Sequence, residues 1–561
     1  MSRRFSAAST ARSKHLLPAL LICISLGAYA NTLLNGFVYD DLFQVLQNEW
    51  IKDVRALPAI FLNSAWAFNE NTPPINYYRP VMHLVYMLDY SLVGLEPWFF
   101  HLTNVLIHTS NTLLVFFITA RLLNTHQNDT GGREEPGGRG LLRYCPPPLV
   151  AAVFFALHPV NTEAVAWVAA IPELTYTFFC LFSLYLYITS PPLSRRFFLS
   201  LLCFFLATLS KETALSLPLL LFAYDRTVRR EGYALSLQRY LPFAVVMGAY
   251  ALLRLYALGG MAPQAPKHGY LTTFQYFINV FPLLTDYFTA LAAPVNLTAF
   301  HVFHPVLSLF EARTIFACLL AIAFCLLLIA IWTRARLTCF ALLWIVIPLL
   351  PVLYIPGVGV NTFAERYLYL PCAGFALLCA SLLARFSPLL LPKSRKVMVL
   401  FLPLMLTVVA LWYGTSTVQR NSVWKNEYTL WKDTAKKSPD SAVARYNLGI
   451  ALFNKGLTDG AIAELREAVQ IHPGYIDAHY NLGVVYQHRG MVEEAREEYL
   501  TVLRLEPRSS DASYNLGLIY AETGMLNQAE EAFQRAVAIH PGYREARLQL
   551  EKVRRMRRLQ R

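Results

Sequence analysis

Charge is scarce in this chain. Only 15% of the 561 residues are charged, while 55% are hydrophobic and 14% aromatic. That balance excludes a soluble enzyme built on one large core and implies a polytopic membrane protein. Acids are scarcer than bases, 36 against 49, which leaves a net charge of +13. A basic surplus can mark a nucleic-acid binder. Here Lys and Arg lie largely in short loops between apolar runs, so membrane topology explains them and no nucleic-acid partner is expected. The nine cysteines form no CxxC pair, and none lies beyond Cys379, which argues against a disulfide framework or a zinc site. The first 15 residues contain no acid and carry Arg3, Arg4, Arg12 and Lys14 without a small-residue cleavage site. They read as a cytoplasmic N-terminus before an uncleaved signal anchor.

Residues 16–34 are apolar enough to cross a bilayer, which takes roughly 20 residues. The run ends in NTLLNGFVYDD, residues 31–41, which places Asp40 and Asp41 just past the membrane boundary. Carboxylates so near hydrocarbon are costly unless something uses them, although solvated caps also occur at helix ends. Threading Lys and Arg to the inside makes residues 35–98 a first outer loop, with a short apolar helix over 80–93 lying at the interface. It also yields about eleven spans within a membrane domain over 16–414. The segment 271–311 reads as re-entrant or interfacial, because counting it as a span would reverse every later loop. Parity then places residues 415–561 outside, with Asp40.

Beyond residue 415 the chain repeats itself. Tyr446-Asn447-Leu448-Gly449 recurs as Tyr480-Asn481-Leu482-Gly483 and Tyr514-Asn515-Leu516-Gly517, and Pro439, Pro473, Pro507 and Pro541 keep the same 34-residue step. This is the tetratricopeptide (TPR) pattern of stacked helical hairpins. It predicts repeats over 439–472, 473–506 and 507–540, a half repeat over 424–438 and a capping helix over 541–561. Such stacks present a concave face to a protein or peptide; a spacer or oligomerisation role is the plainer alternative. The fold class expected is all-α, a transmembrane bundle followed by an α-solenoid.

By this threading, Asp40, Asp41, Arg79, His158, Glu163, Glu173, Lys211, Glu212, Lys267, His268, Glu365 and Arg366 all fall outside, beside span ends. Charges at such positions normally face a cavity and one another. A carboxylate pair with nearby cations suits transfer of a group from a phosphate leaving group: one carboxylate deprotonates an acceptor hydroxyl while cations or a metal stabilise the phosphate. Singly, each residue has a structural reading. His158-Pro159 can simply end a helix, and Lys211 with Glu212, or Glu365 with Arg366, can be structural ion pairs.

The ordered set VYDD (38–41), YYRP (77–80), FALHPVNTEAVAW (155–167), LSKETALSLPLLL (209–221) and AERYLYLP (364–371), followed by TPRs, resembles one family. It is similar to the transmembrane-and-TPR-containing protein O-mannosyltransferases and their bacterial relatives. The resemblance covers nearly the whole chain. It implies the C-type membrane glycosyltransferase fold and a polyprenyl-phosphate-linked, mannose-like donor. It also implies a catalytic aspartate at the start of the first outer loop, matched by Asp40 with Asp41 in support. Glu163, Lys211 and Glu212 match motifs expected near the acceptor and the donor phosphate. Arg79 and Arg366 are phosphate contacts by charge, and His158 is a further substrate-binding candidate. A divalent metal, if one takes part, would fall to Asp40, Asp41 and Glu163. One departure concerns the donor: after HPVNTE relatives tend to carry a basic residue, where this chain has Pro172 and Glu173.

The leading reading is thus an integral-membrane glycosyltransferase of a bacterial inner membrane or an endoplasmic reticulum. It would act on the outer face on a protein or envelope acceptor recruited by the TPRs. The alternative is a non-catalytic membrane anchor whose TPRs scaffold an envelope complex. A transporter is disfavoured, since no paired half repeats with broken helices stand out.

Overall fold

The computed structural model describes residues 2–69, 76–129, 146–230, 236–260, 268–357, 361–386 and 395–560. Among them there is no strand, so the all-α expectation holds. The chain divides into two compact units, Met1–Asn426 and Glu427–Arg561.

Among the described residues of the first unit, six helices are long and apolar enough to cross a membrane: Leu16–Leu34, Pro97–Thr125, Val168–Thr189, Gln238–Leu258, Ala312–Ile331 and Glu365–Phe386. The bent pair Pro147–Leu157 and Pro159–Ala166 makes a seventh if it is one span. About eleven were expected, and proline accounts for much of the difference. Proline lacks the N–H an interior helical turn needs but suits a first turn. Pro147, Pro159, Pro172, Pro218 and Pro348 each stand at such a start. Apolar runs that read as continuous therefore restart as short pieces, such as the eight-residue Leu217–Tyr224. The 80–93 helix is present as Pro80–Val93, and 271–311 contains one 20-residue helix, Thr273–Ala292, followed by an extended loop. This unit is a multi-pass membrane bundle.

Its core is formed where Pro97–Asp129 packs on Ile171–Thr189, Pro147–Leu157 and the first helix, while Arg195–Ser210 lies along Ile171–Thr189. The helix Ile171–Thr189 carries different chemistry at its two ends. Glu173 is near its start, and Tyr187 near its end donates to Asp225 at 2.5 Å. At 1.5 Å per residue those side chains are about 20 Å apart along the axis. Arg229 and Arg239 flank Asp225, so cations gather at that second end.

The second unit opens with the helix Glu427–Lys437, a preceding half repeat. Three hairpins follow: Ala442–Asn454 with Thr458–Ile471, Ile476–Arg489 with Val492–Leu505, and Ser510–Glu522 with Leu526–Ile539. The helix Arg544–Gln560 closes the stack. Within the middle hairpin a Cβ on Gly483 would meet the Tyr499 ring at 2.8 Å, so only glycine lets the two helices come this close. Gly490 takes φ +80° at the turn, where any side chain is strained. Between hairpins the period is written in hydrogen bonds: Asn481 donates to the Tyr446 hydroxyl and Asn515 to the Tyr480 hydroxyl, each at 3.0 Å.

Candidate functional site

The first helical run ends in a tight turn. Tyr39 adopts φ 55°, a left-handed conformation that costs a non-glycine residue about 1–2 kcal/mol. Its ring stacks on Trp167 at 5.5 Å, which in turn stacks on Trp424 at 5.7 Å. The turn separates two neighbouring acids. Asp41 is fully buried and accepts from the backbone N–H of Val38 at 3.0 Å and of Ala169 at 2.7 Å. Asp40 is half-buried and lines a cavity of about 110 Å³.

With Asp40 from VYDD, that cavity draws its walls from all five of the motifs. Arg79 and Tyr77 come from YYRP, Trp167 from the end of FALHPVNTEAVAW, Lys211 from LSKET, and Arg366 with Tyr367 from AERYLYLP; Gln44, Trp66 and Glu173 complete its polar and aromatic lining. Three cations and two acids thus face one small space. Each cation is anchored by a carboxylate far away in sequence. Arg79 pairs with Glu212 at 3.0 Å, Lys211 pairs with Glu173, and Arg366 pairs with Glu163 at 2.5 Å. Glu163 also accepts from the Arg366 backbone N–H at 2.9 Å. The sequence neighbours Lys211 and Glu212 do not pair with each other, nor do Glu365 and Arg366. Glu365 instead holds Arg420 at 2.8 Å, His301 at 3.2 Å and the Thr298 backbone N–H.

Aromatic faces flank the cations. Arg79 lies over Tyr77 at 4.3 Å, Lys211 over Tyr367 at 4.5 Å, and Arg366 over both Trp167 and Tyr367. Burial pushes the Lys211 ammonium below its usual range, against the pull of Glu173. Burial also pushes Glu212 upward, but Arg79, Lys211 and Arg254 outweigh it and hold its carboxyl down at about 2. Glu212 therefore stands as a charged partner of Arg79 at neutral pH. Around the cavity the side-chain atoms Gln44 Oε1, Trp167 Nε1, Arg79 Nε and Glu173 Oε2 are buried without a hydrogen-bond partner. Such groups cost about 1–3 kcal/mol each unless a polar ligand or water meets them.

The cavity thus gathers Asp40, Arg79, Lys211 and Arg366, with Glu163 and Glu212 behind the cations. It does not gather His158, whose Nε2 donates to the Leu291 carbonyl at 3.0 Å while Nδ1 accepts from Val160 N–H at 3.3 Å. With both ring nitrogens spent on backbone and no exposure, His158 shapes the break between two helices, as the helix-end reading had it. Asp40, Asp41 and Glu163 do not form a metal cluster. Asp41 is committed to amides and Glu163 to Arg366, and no group of three or more metal-binding side chains occurs among the described residues. Lys267 lies outside the described residues. Residues not singled out from sequence include Gln44, Trp66, Tyr77, Trp167 and Tyr367; Tyr77, Trp167 and Tyr367 stood inside the quoted motifs. Glu173, which looked like a departure, is the partner of Lys211.

Fold and site together define a multi-pass membrane protein with a cation-lined polar cavity at one end of its bundle, followed by a helical repeat array. Two family models match the array, one described as tetratricopeptide repeat over residues 480–544 and one as TPR repeat over 455–490. Across the longer chain the curated relatives are named protein O-mannosyl-transferases. One from Caenorhabditis elegans is 26% identical, covering 81% of this chain and 63% of that protein. Tmtc3 of Drosophila melanogaster is 26% identical over 84% and 56%, and TMTC3 of Homo sapiens is 25% identical over 81% and 51%. This chain is a divergent relative of the TMTC protein O-mannosyl-transferases, and it spans about half to two thirds of their length. Matching solved structures cover the repeats: MamA is 25% identical over 23% of this chain and 76% of that chain, with a TM-score of 0.23.

Proposed function

We propose that the protein is a membrane glycosyltransferase that moves a mannose-like sugar from a polyprenyl-phosphate donor to a hydroxyl of a protein acceptor. The observation that carries the reading is the convergence of Asp40 with Arg79, Lys211 and Arg366 on one cavity edged by unpartnered buried polar atoms. A scaffold has no need for such a cavity, whose desolvated charges cost stability. The names of the curated relatives support the same reaction class.

In this reading Asp40 takes the proton of the acceptor hydroxyl as its oxygen attacks the anomeric carbon. The bond from that carbon to the phosphate oxygen breaks, and the electron pair leaves with the polyprenyl phosphate. Arg79, Lys211 and Arg366 stabilise the charge that grows on the phosphate, an effect strongest where water is excluded. Their carboxylate partners hold them in place before the reaction, so little reorganisation is needed. Asp41 positions Asp40 by tying its loop to the turn at Ala169. The reaction is proposed for the extracytoplasmic side, with the N-terminus cytoplasmic and the TPRs outside, where they recruit the acceptor. Glycopeptide mass spectrometry of host envelope or secretory proteins, with and without this protein, tests the reading. Loss of hexose from Ser or Thr of a defined protein set is expected; an unchanged glycoproteome and unchanged glycolipids would refute it.

A further inference from the structure

A second cavity, of about 350 Å³, has no part in the reaction described above. It lies between the helix Thr273–Ala292, the loop that follows and the first turn of Ala312–Ile331. The loop is pinned: Asn279 donates to the Val306 carbonyl at 2.7 Å and accepts from its N–H at 2.8 Å. In its lining Arg313 donates to Asp286 at 2.7 Å, an exposed ion pair with side chains 47% and 44% exposed. His301 and His304 add polar edges. On its inner wall the Thr362 hydroxyl is almost fully buried and has no hydrogen-bond partner.

The surroundings of this cavity are apolar. Val295 in its lining and Phe310 on the adjoining loop are 58% and 90% exposed. The helix that begins here, Ala312–Ile331, buries only 11% of its apolar stretch within the protein, so it faces lipid and its first turn lies at the bilayer surface. A site at that level holds one acid and one base side by side, above a neutral hydroxyl. Its charge complements a ligand with a cation and an anion a few ångströms apart.

We propose that this cavity binds the head group of a zwitterionic phospholipid of the phosphoethanolamine class, with Asp286 receiving the ammonium, Arg313 the phosphate and Thr362 an oxygen of the head group. A primary ammonium donates hydrogen bonds to a carboxylate, whereas a quaternary one cannot. A purely anionic head group leaves Asp286 facing like charge. The site adjoins the reaction cavity through one segment, since Thr362 and Phe363 line the lipid cavity and Arg366 and Tyr367 line the other. His301 spans the same wall through its contact with Glu365.

The test does not depend on the transferase reading. Full-length protein is equilibrated with vesicles of equal phosphatidylethanolamine, phosphatidylcholine and phosphatidylglycerol, and the retained lipids are counted by native mass spectrometry. Phosphatidylethanolamine should be retained with roughly tenfold preference, the size one charge-assisted hydrogen bond supports. Asp286→Asn, which is nearly isosteric, should erase that preference. Thr362→Val should weaken retention while the melting temperature shows an intact fold. Equal retention by wild type and Asp286→Asn, or preferential retention of phosphatidylglycerol, would overturn the proposal.

Discussion

Asp41 gives one carboxylate oxygen to the Val38 amide and the other to the Ala169 amide, with no exposure to water. An Asn there turns one acceptor into a donor that faces another N–H. The loss should be about 1–3 kcal/mol, the penalty of leaving a buried group unmade. Thermal unfolding of Asp41→Asn in detergent should show a lower melting temperature, whereas Asp40→Asn, on the half-buried cavity side, should stay near wild type. Equal melting temperatures for the two variants would contradict this division of labour. From sequence the two acids could be singled out, because carboxylates are rare beside an apolar run. Which of them faces the cavity could not be read, since that depends on Tyr39 turning left-handed onto Trp167. The pairings were equally hidden. Lys211 finds Glu173 38 positions away, Arg79 finds Glu212 133 away and Arg366 finds Glu163 203 away.

Among the elements, the repeats were legible from their period and the spans were not. A 34-residue period survives in Tyr, Asn, Gly and Pro because each hairpin must pack on the next in the same way. Apolar content, by contrast, does not reveal where proline restarts a helix. The period also exposes a difference between hairpins. Arg445 reaches Glu464 at 2.8 Å and the Pro439 carbonyl at 3.4 Å. One period on, His479 reaches Glu498 at 2.6 Å and the Pro473 carbonyl at 3.0 Å. Both partners of His479 accept, so the ring satisfies both only when doubly protonated. Its hydrogen bond to Glu498 raises its pKa above the usual 6.5, against burial. A raised folded pKa contributes stability that is complete below about 6.5 and is lost as pH rises through the folded value. Hydrogen exchange of Ile476–Arg489 in the full chain, corrected for intrinsic rates, should therefore show protection falling across that window. His479→Arg should flatten the profile; a flat wild-type profile would contradict the reading.

For the whole molecule, scarce charge and a repetitive C-terminal region were enough to read a membrane bundle followed by a solenoid, and the order of short motifs pointed to the relatives found. If the bundle alone carries the chemistry and the repeats recruit acceptor, removing residues 427–561 should leave transfer to a short soluble peptide while sharply reducing transfer to a folded protein. Loss of both would place catalytic groups in the repeats. The central claim is that Asp40, faced by Arg79, Lys211 and Arg366, is the base of a sugar transfer. It is tested most directly by reconstituting wild type and Asp40→Asn with polyprenyl-phosphate mannose and an acceptor peptide, and measuring glycopeptide formed. Wild type should transfer sugar and Asp40→Asn none above background at equal insertion and melting temperature; full transfer by Asp40→Asn would overturn the assignment of the base.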